Sequence, residues 1–156
     1  MLDPIIKTVT LDTTPARAFE LFTQRISDWW PLTTHSVISG RGDTSVNVQF
    51  EPFEGGRLYE TSDTGETEDW GSVSVWKPGE QVSFTWHPGN DPDKATQIDV
   101  TFQRADAGGT QVTLTHSNWE QLGDLAEREH AGYSPGWDQV FHAGFETFAK
   151  RELATA

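Results

Sequence analysis

Three side chains have proton-transfer chemistry if the fold turns them inward: His116, Glu60 and Glu68. His116 closes the run Val112-Thr-Leu114-Thr-His116, where apolar and polar residues alternate, so its imidazole shares a face with Val112 and Leu114. An interior imidazole needs a partner, which backbone, water or a ligand supplies. A carboxyl group under an apolar roof is harder to ionise and serves as general acid or base. Glu60 and Glu68 have that capacity, but the pattern leaves their register open, and solvation is the alternative for both. His35 follows Trp29-Trp30-Pro31 in a loop, a common place for functional residues. Bonding to nearby backbone is the alternative for His35, and for His116 at the end of its strand.

A second set of residues binds rather than reacts. The chain holds seven tryptophans in 156 residues. Indoles are costly to hide completely, so this number points to a thick aromatic core or an aromatic-lined cavity. Trp86 alternates in phase with Phe84, and Trp137 opens a helical pattern that includes Phe141; these should face inward. Together with Trp29, Trp30, Trp70, Trp119 and Tyr133 they are the candidate wall for a flat or apolar ligand. Ordinary core packing is the alternative for each one singly.

Other chemistries lack their residues. The histidines, His35, His87, His116, His130 and His142, form no HxH or HxxxH pair, so no metal site is expected. There is no cysteine, hence no disulfide, thiol nucleophile or thiolate ligand. Gly55-Gly56 and Gly108-Gly109 sit between strand patterns without a following lysine, so they are turns rather than phosphate loops. No cofactor is implied.

The elements that must position these residues follow from periodicity. Ile5 to Leu11 is a strand; Thr13 or Thr14 caps a helix with Pro15 just inside it, running through Arg25. Trp29-Trp30-Pro31 ends that region, because proline disfavours helix in the residue before it. Residues 31–43 read as a loop with room for one short strand. Val46, Val48 and Phe50 then mark the buried face of a strand from Ser45. Further strands are expected at Arg57 to Thr61, Trp70 to Trp76, Val82 to Trp86, around Ile98 to Phe102, and at Val112 to His116, joined by tight turns. Leu122 to Ala131 reads as a short helix broken at Gly132. Ser134-Pro135 reads as a fresh helix start, with Trp137, Phe141, Gly144, Phe145 and Phe148 on one side. A helix from Pro135 to Glu152 is roughly 27 Å long at 1.5 Å per residue, enough to cross a sheet and bury its stripe there. The fold class is therefore α+β: a curved antiparallel sheet of about six to seven strands wrapped around a long C-terminal helix. Residues 1–156 are read as a single domain, as length suggests.

The formal net charge of −13 disfavours nucleic acid and anionic membranes as partners. No stretch approaches the ~20 apolar residues of a membrane span, and the N-terminal residues lack a secretory pattern, so a cytoplasmic protein is expected.

The order of elements, the Gly55-Gly56 turn before a strand, Val82-Ser-Phe-Thr-Trp86 after a Pro-Gly turn, and Gly136-Trp137 at the last helix together resemble the SRPBCC, or START-like, superfamily. Within it the chain is similar to the group named for the activator of Hsp90 ATPase, over roughly residues 4 to 152. The run WWPLTTHSV at 29–37 resembles a bacterial branch labelled polyketide cyclase or activator-like. The resemblance implies a helix-grip fold with a hydrophobic cavity under the last helix, and no single reaction. Three functions follow as expectations: a binder of a small apolar or aromatic molecule, a cyclase or aromatase acting in the same cavity, or a chaperone-linked interaction domain. A homodimer is compatible with the surplus of aromatics.

Overall fold

The computed structural model describes residues 2–155; the outermost positions of the expected 1–156 domain, Met1 and Ala156, lie outside the described residues. Strand β1 (Ile5–Leu11) leads into α1 (Pro15–Thr23), capped by the Thr14 side chain, which accepts from the Arg17 amide at 3.2 Å. A one-turn helix α2 (Ile26–Trp29) ends at Trp30, whose ψ of 129° is the extended backbone that a following proline demands. After α3 (Val37–Gly40) come β2 (Ser45–Phe50), β3 (Arg57–Ser62), β4 (Thr67–Lys77), β5 (Gln81–Trp86), β6 (Thr96–Arg104) and β7 (Thr110–Ser117).

The seven strands form one antiparallel sheet in the order β1-β7-β6-β5-β4-β3-β2. It curves into a half-barrel, and the alternate residues of its concave face make the core: Val9, Leu58, Val82, Phe84, Ile98, Val100, Val112 and Leu114 are all buried. Register shifts mark where the strands bend, at Ser45/Asn47, Leu58/Tyr59 and Val73/Val75. The second of these shapes the site. Leu58 pairs with Gly71 and Tyr59 with Asp69, which leaves Trp70 as the extra residue, turned into the interior and 1% exposed. Gly71 makes the bend sterically feasible, because a Cβ there would lie 1.7 Å from the Thr85 carbonyl oxygen.

Helical chain closes the concave face. A 3₁₀ segment (Trp119–Leu125) passes into α4 (Ala126–Trp137), a π-helical stretch (Asp138–Glu146) and α5 (Thr147–Ala154). Phe141, Phe145 and Phe148 are buried as the helical spacing predicts. Phe22 of α1 meets Phe145 edge-on at 5.2 Å. Gly144 lies against the Trp29 backbone, where a Cβ would approach the carbonyl oxygen to 3.1 Å, so a glycine there lets the helix settle onto α2.

Four local expectations are corrected. Residues 31–43 contain the short helix α3 rather than a strand, because Ser36 caps it, accepting from the Ser39 amide at 3.1 Å. Val46 is half exposed, since the shift at Ser45/Asn47 takes it off the buried face. Strand β4 begins at Thr67, three residues before Trp70, because the β3 partners Glu60 and Thr61 extend the ladder past the bulge. The helix does not restart at Ser134-Pro135. Pro135 lies inside α4, whose packing against the sheet outweighs the hydrogen bond that proline forfeits.

Candidate ligand-binding site

The described residues enclose a cleft of about 290 Å³ between the helix, the sheet and the loop before α3. The helix contributes Tyr133, Gly136, Trp137 and Val140, which fall at the i, i+3, i+4, i+7 positions of one face. The sheet contributes Trp70 and Trp86, with Pro88 just beyond β5. The third wall is Trp30 followed by Thr34, His35, Ser36 and Val37.

The four indoles touch one another around this space. Ring centroids are 5.0 Å apart for Trp30 and Trp70, 5.7 Å for Trp30 and Trp86, and 5.8 Å for Trp86 and Trp137. Their planes meet at 51°, 49° and 47°, between stacked and edge-on. Each indole N–H is also held: Trp30 donates to the His35 carbonyl at 2.7 Å, Trp70 to Glu60 at 2.8 Å, Trp86 to the Tyr133 hydroxyl at 2.9 Å, and Trp137 to His116 Nδ1 at 3.0 Å. The first of these bonds pins the mouth loop to its own entrance.

Glu60 is fully buried on β3 and supports that loop from beneath. Its Oε1 accepts from the amides of Val37 at 2.7 Å and Ile38 at 3.2 Å as well as from Trp70, and its Oε2 accepts from Ser45 Oγ at 2.8 Å. It thus caps α3 and ties the loop to the bulged Trp70 in one contact set. Glu68, although paired with Glu60 across the strands, turns to Arg41 at 2.6 Å and is half exposed.

His116 is fully buried, one layer behind the cleft wall. An indole N–H only donates, so Nδ1 is the acceptor and the proton sits on Nε2. That proton points to Thr96 Oγ1 at 2.7 Å, which in turn donates to the Trp86 carbonyl at 3.3 Å. Trp119 stacks on the imidazole at 4.1 Å and donates to its carbonyl at 3.0 Å. Burial, with a smaller contribution from His130, pushes the imidazole down to about 3, so it stays neutral. This arrangement organises the wall; the imidazole does not take up a second proton near neutral pH.

Of the residues singled out from sequence, Trp30, His35, Trp70, Trp86, Tyr133 and Trp137 border the cleft. Trp29, Phe84, Trp119 and Phe141 are packed in the core, and His116, Glu60 and Glu68 do not border the space. Sequence reasoning passed over Gly136 and Val140, although their helical spacing from Tyr133 carried the signal.

The family model for activator of Hsp90 ATPase homolog 1-like protein matches residues 12–150. The chain belongs to this family. A search of curated proteins finds no match. Among solved structures, this activator-like chain is similar to Txn09, an anthrahydroquino-gamma-pyrone synthase complexed with SUM. The two are 32% identical over 83% of this chain and 85% of that one, with a TM-score of 0.55. It also shares its fold with the Aha1 dimer from Colwellia psychrerythraea, at 18% identity, 91% and 92% coverage and a TM-score of 0.62. DynU16, from the dynemicin biosynthetic locus, matches at 17% identity over 99% of this chain and 48% of that one, with a TM-score of 0.63. No described helix of this activator-like protein is long and apolar enough to cross a membrane, and no group of three metal-binding side chains occurs among the described residues.

Proposed function

We propose that this protein binds a small, flat, largely apolar molecule of the aromatic polyketide kind in the cleft under its C-terminal helix. The observation that carries the reading is the ring of four indoles that borders the cleft, whose N–H groups are occupied within the protein, so that what they present to the space is apolar. The likeness to Txn09 supports the same ligand class. The cleft sits at the small end of the range for small-molecule sites, which suits a compact polycyclic ring system rather than a long acyl chain.

Gly136 supplies the test. It borders the cleft on the helix face of Tyr133 and Val140, and a Cβ there meets nothing within 4 Å, so a side chain begins in open space at the cleft wall. Titration of wild type with 1,8-dihydroxyanthraquinone should quench tryptophan fluorescence saturably. Gly136→Leu should fold as well as wild type and lose that response. Absence of quenching in wild type, or equal affinity in Gly136→Leu, refutes the reading.

A cyclase acting in the same cleft is the second reading, favoured by the 32% identity to a synthase. The titratable side chains that border the space are His35 and Tyr133, so proton transfer would fall to them. Incubation with an open-chain aromatic polyketide and mass and absorbance analysis of the product tests it; unchanged compound refutes it. A homodimer and an Hsp90-type partner are further proposals, supported by the fold shared with the Colwellia Aha1 dimer and by the family description.

A further inference from the structure

We infer that Tyr133 donates a hydrogen bond to a carbonyl oxygen of the ligand, so that the site selects aromatic ketones or quinones over hydrocarbons of the same shape. The inference rests on the cleft being the binding site and deepens that reading.

It follows from counting the polar groups on the wall. All four lining indole N–H groups are spent within the protein. The Ser36 hydroxyl donates to the Leu32 carbonyl at 2.8 Å and accepts from the Ser39 amide, so it too is occupied. Thr34 Oγ1 lies 2.8 Å from His35 Nδ1, a local pair at the exposed rim. Tyr133 differs. Its oxygen accepts from Trp86, yet among the described residues nothing accepts its own O–H. A phenol has one donor, and on the inner wall it is the one left over; His35 Nε2 also has no partner among the described residues, but it belongs to the mouth loop beside exposed Thr34, where water serves it.

Its setting strengthens that donor. The incoming Trp86 N–H fixes the hydroxyl oxygen and polarises the O–H bond, as hydrogen bonds in series do. Burial pushes the phenol's pKa up, so the proton stays in place at neutral pH. Among the described residues no lysine or arginine borders the cleft, so a carboxylate or phosphate finds no counter-charge there. An uncharged acceptor on a flat ring matches this wall: the rings meet indole surfaces and the carbonyl meets Tyr133.

The matched probes are 9-fluorenone and fluorene, which differ only by a carbonyl in place of a methylene. Binding is measured by equilibrium dialysis, with each compound quantified by chromatography. Tyr133→Phe frees the Trp86 N–H, which could then serve the ligand itself, so a Trp86→Phe/Tyr133→Phe double variant closes that route. Because Trp86 itself lines the cleft, Trp86→Phe alone is the reference: from it to the double variant fluorenone should bind about tenfold more weakly and fluorene within twofold, since only the Tyr133 hydroxyl is lost and the carbonyl is left without a donor. Retained fluorene binding shows that the cleft is still folded. Unchanged fluorenone affinity, or parallel loss of both probes, overturns the role of Tyr133 while leaving the cleft as a binding site. If wild type binds neither compound, the proposed binding function falls and this inference falls with it.

Discussion

Replacing Glu60 should separate a structural carboxylate from a catalytic one. Glu60→Ala removes the acceptor for four donors: the amides of Val37 and Ile38, the Trp70 indole and the Ser45 hydroxyl. Val37 and Ser45 are half buried and can recruit water, but Ile38 and Trp70 are sealed. Each sealed donor left without a partner costs about 1–3 kcal/mol, so roughly 4 kcal/mol in total is expected. For a chain of this size that lowers Tm by roughly 8–16 °C. Glu60→Gln keeps an acceptor oxygen for the three N–H groups and turns its NH₂ toward Ser45 Oγ, which can accept. Only the charge-assisted part is lost, about 1 kcal/mol, or a Tm drop of roughly 2–4 °C. Calorimetry and urea unfolding of the three proteins measure both numbers. The reasoning is refuted if Glu60→Ala costs less than about 1 kcal/mol, or if Glu60→Gln is as damaging as Glu60→Ala.

Two other perturbations probe the same scaffold. His116 has a folded value near 3 against an unfolded value of 6.5, so the stability it contributes is complete above pH 6.5 and is lost as pH falls toward 3. Between pH 6.5 and 4.5 wild type should lose about 2 kcal/mol more than His116→Gln, read from urea midpoints; parallel pH profiles would contradict this. Gly71→Ala should cost about 3 kcal/mol and shift Trp70 emission, since the new methyl meets the Thr85 carbonyl; a loss below about 0.5 kcal/mol would show that the bulge yields freely.

Much of this architecture is legible in the chain, and the failures have local causes. The alternation of Val112, Leu114 and His116 sends the imidazole inward, as found. The pattern carries no information on who meets its nitrogens, because Thr96 and Trp137 come from distant segments. Glu60 and Glu68 stayed ambiguous for a related reason. A one-residue bulge between β3 and β4 resets the two-residue period, and its signal, Trp70 followed by Gly71, looks like ordinary strand sequence. Pro135 misled because it carries a strong local preference for a helix start, and here the tertiary contacts of Trp137, Phe141 and Phe145 decide. The aromatic set divided likewise: the helical stripe opened by Trp137 sends that indole inward, whereas Tyr133 reaches the cleft because α4 runs unbroken through Gly132, and the core positions of Trp29 and Trp119 depend on where α2 and the 3₁₀ segment dock.

The seam between β1 and β7 bears on how the protein is made. Ile5 pairs with His116 and Leu11 with Thr110, so β1 finds its partner only when β7, made after β2 to β6, has emerged. Until then β2 to β6 can assemble as a meander of neighbours, while β1 waits with an unpaired edge and an apolar face. The helix that roofs the cleft is synthesised later still. Trp30, made before the whole of β2 to β7, therefore meets Trp137 only after every strand has been made, and the cleft is complete only once that helix has docked. A nascent chain stalled before Tyr133 would expose its indoles to water and to chaperones, which makes the binding cleft the most vulnerable part of the molecule during its birth.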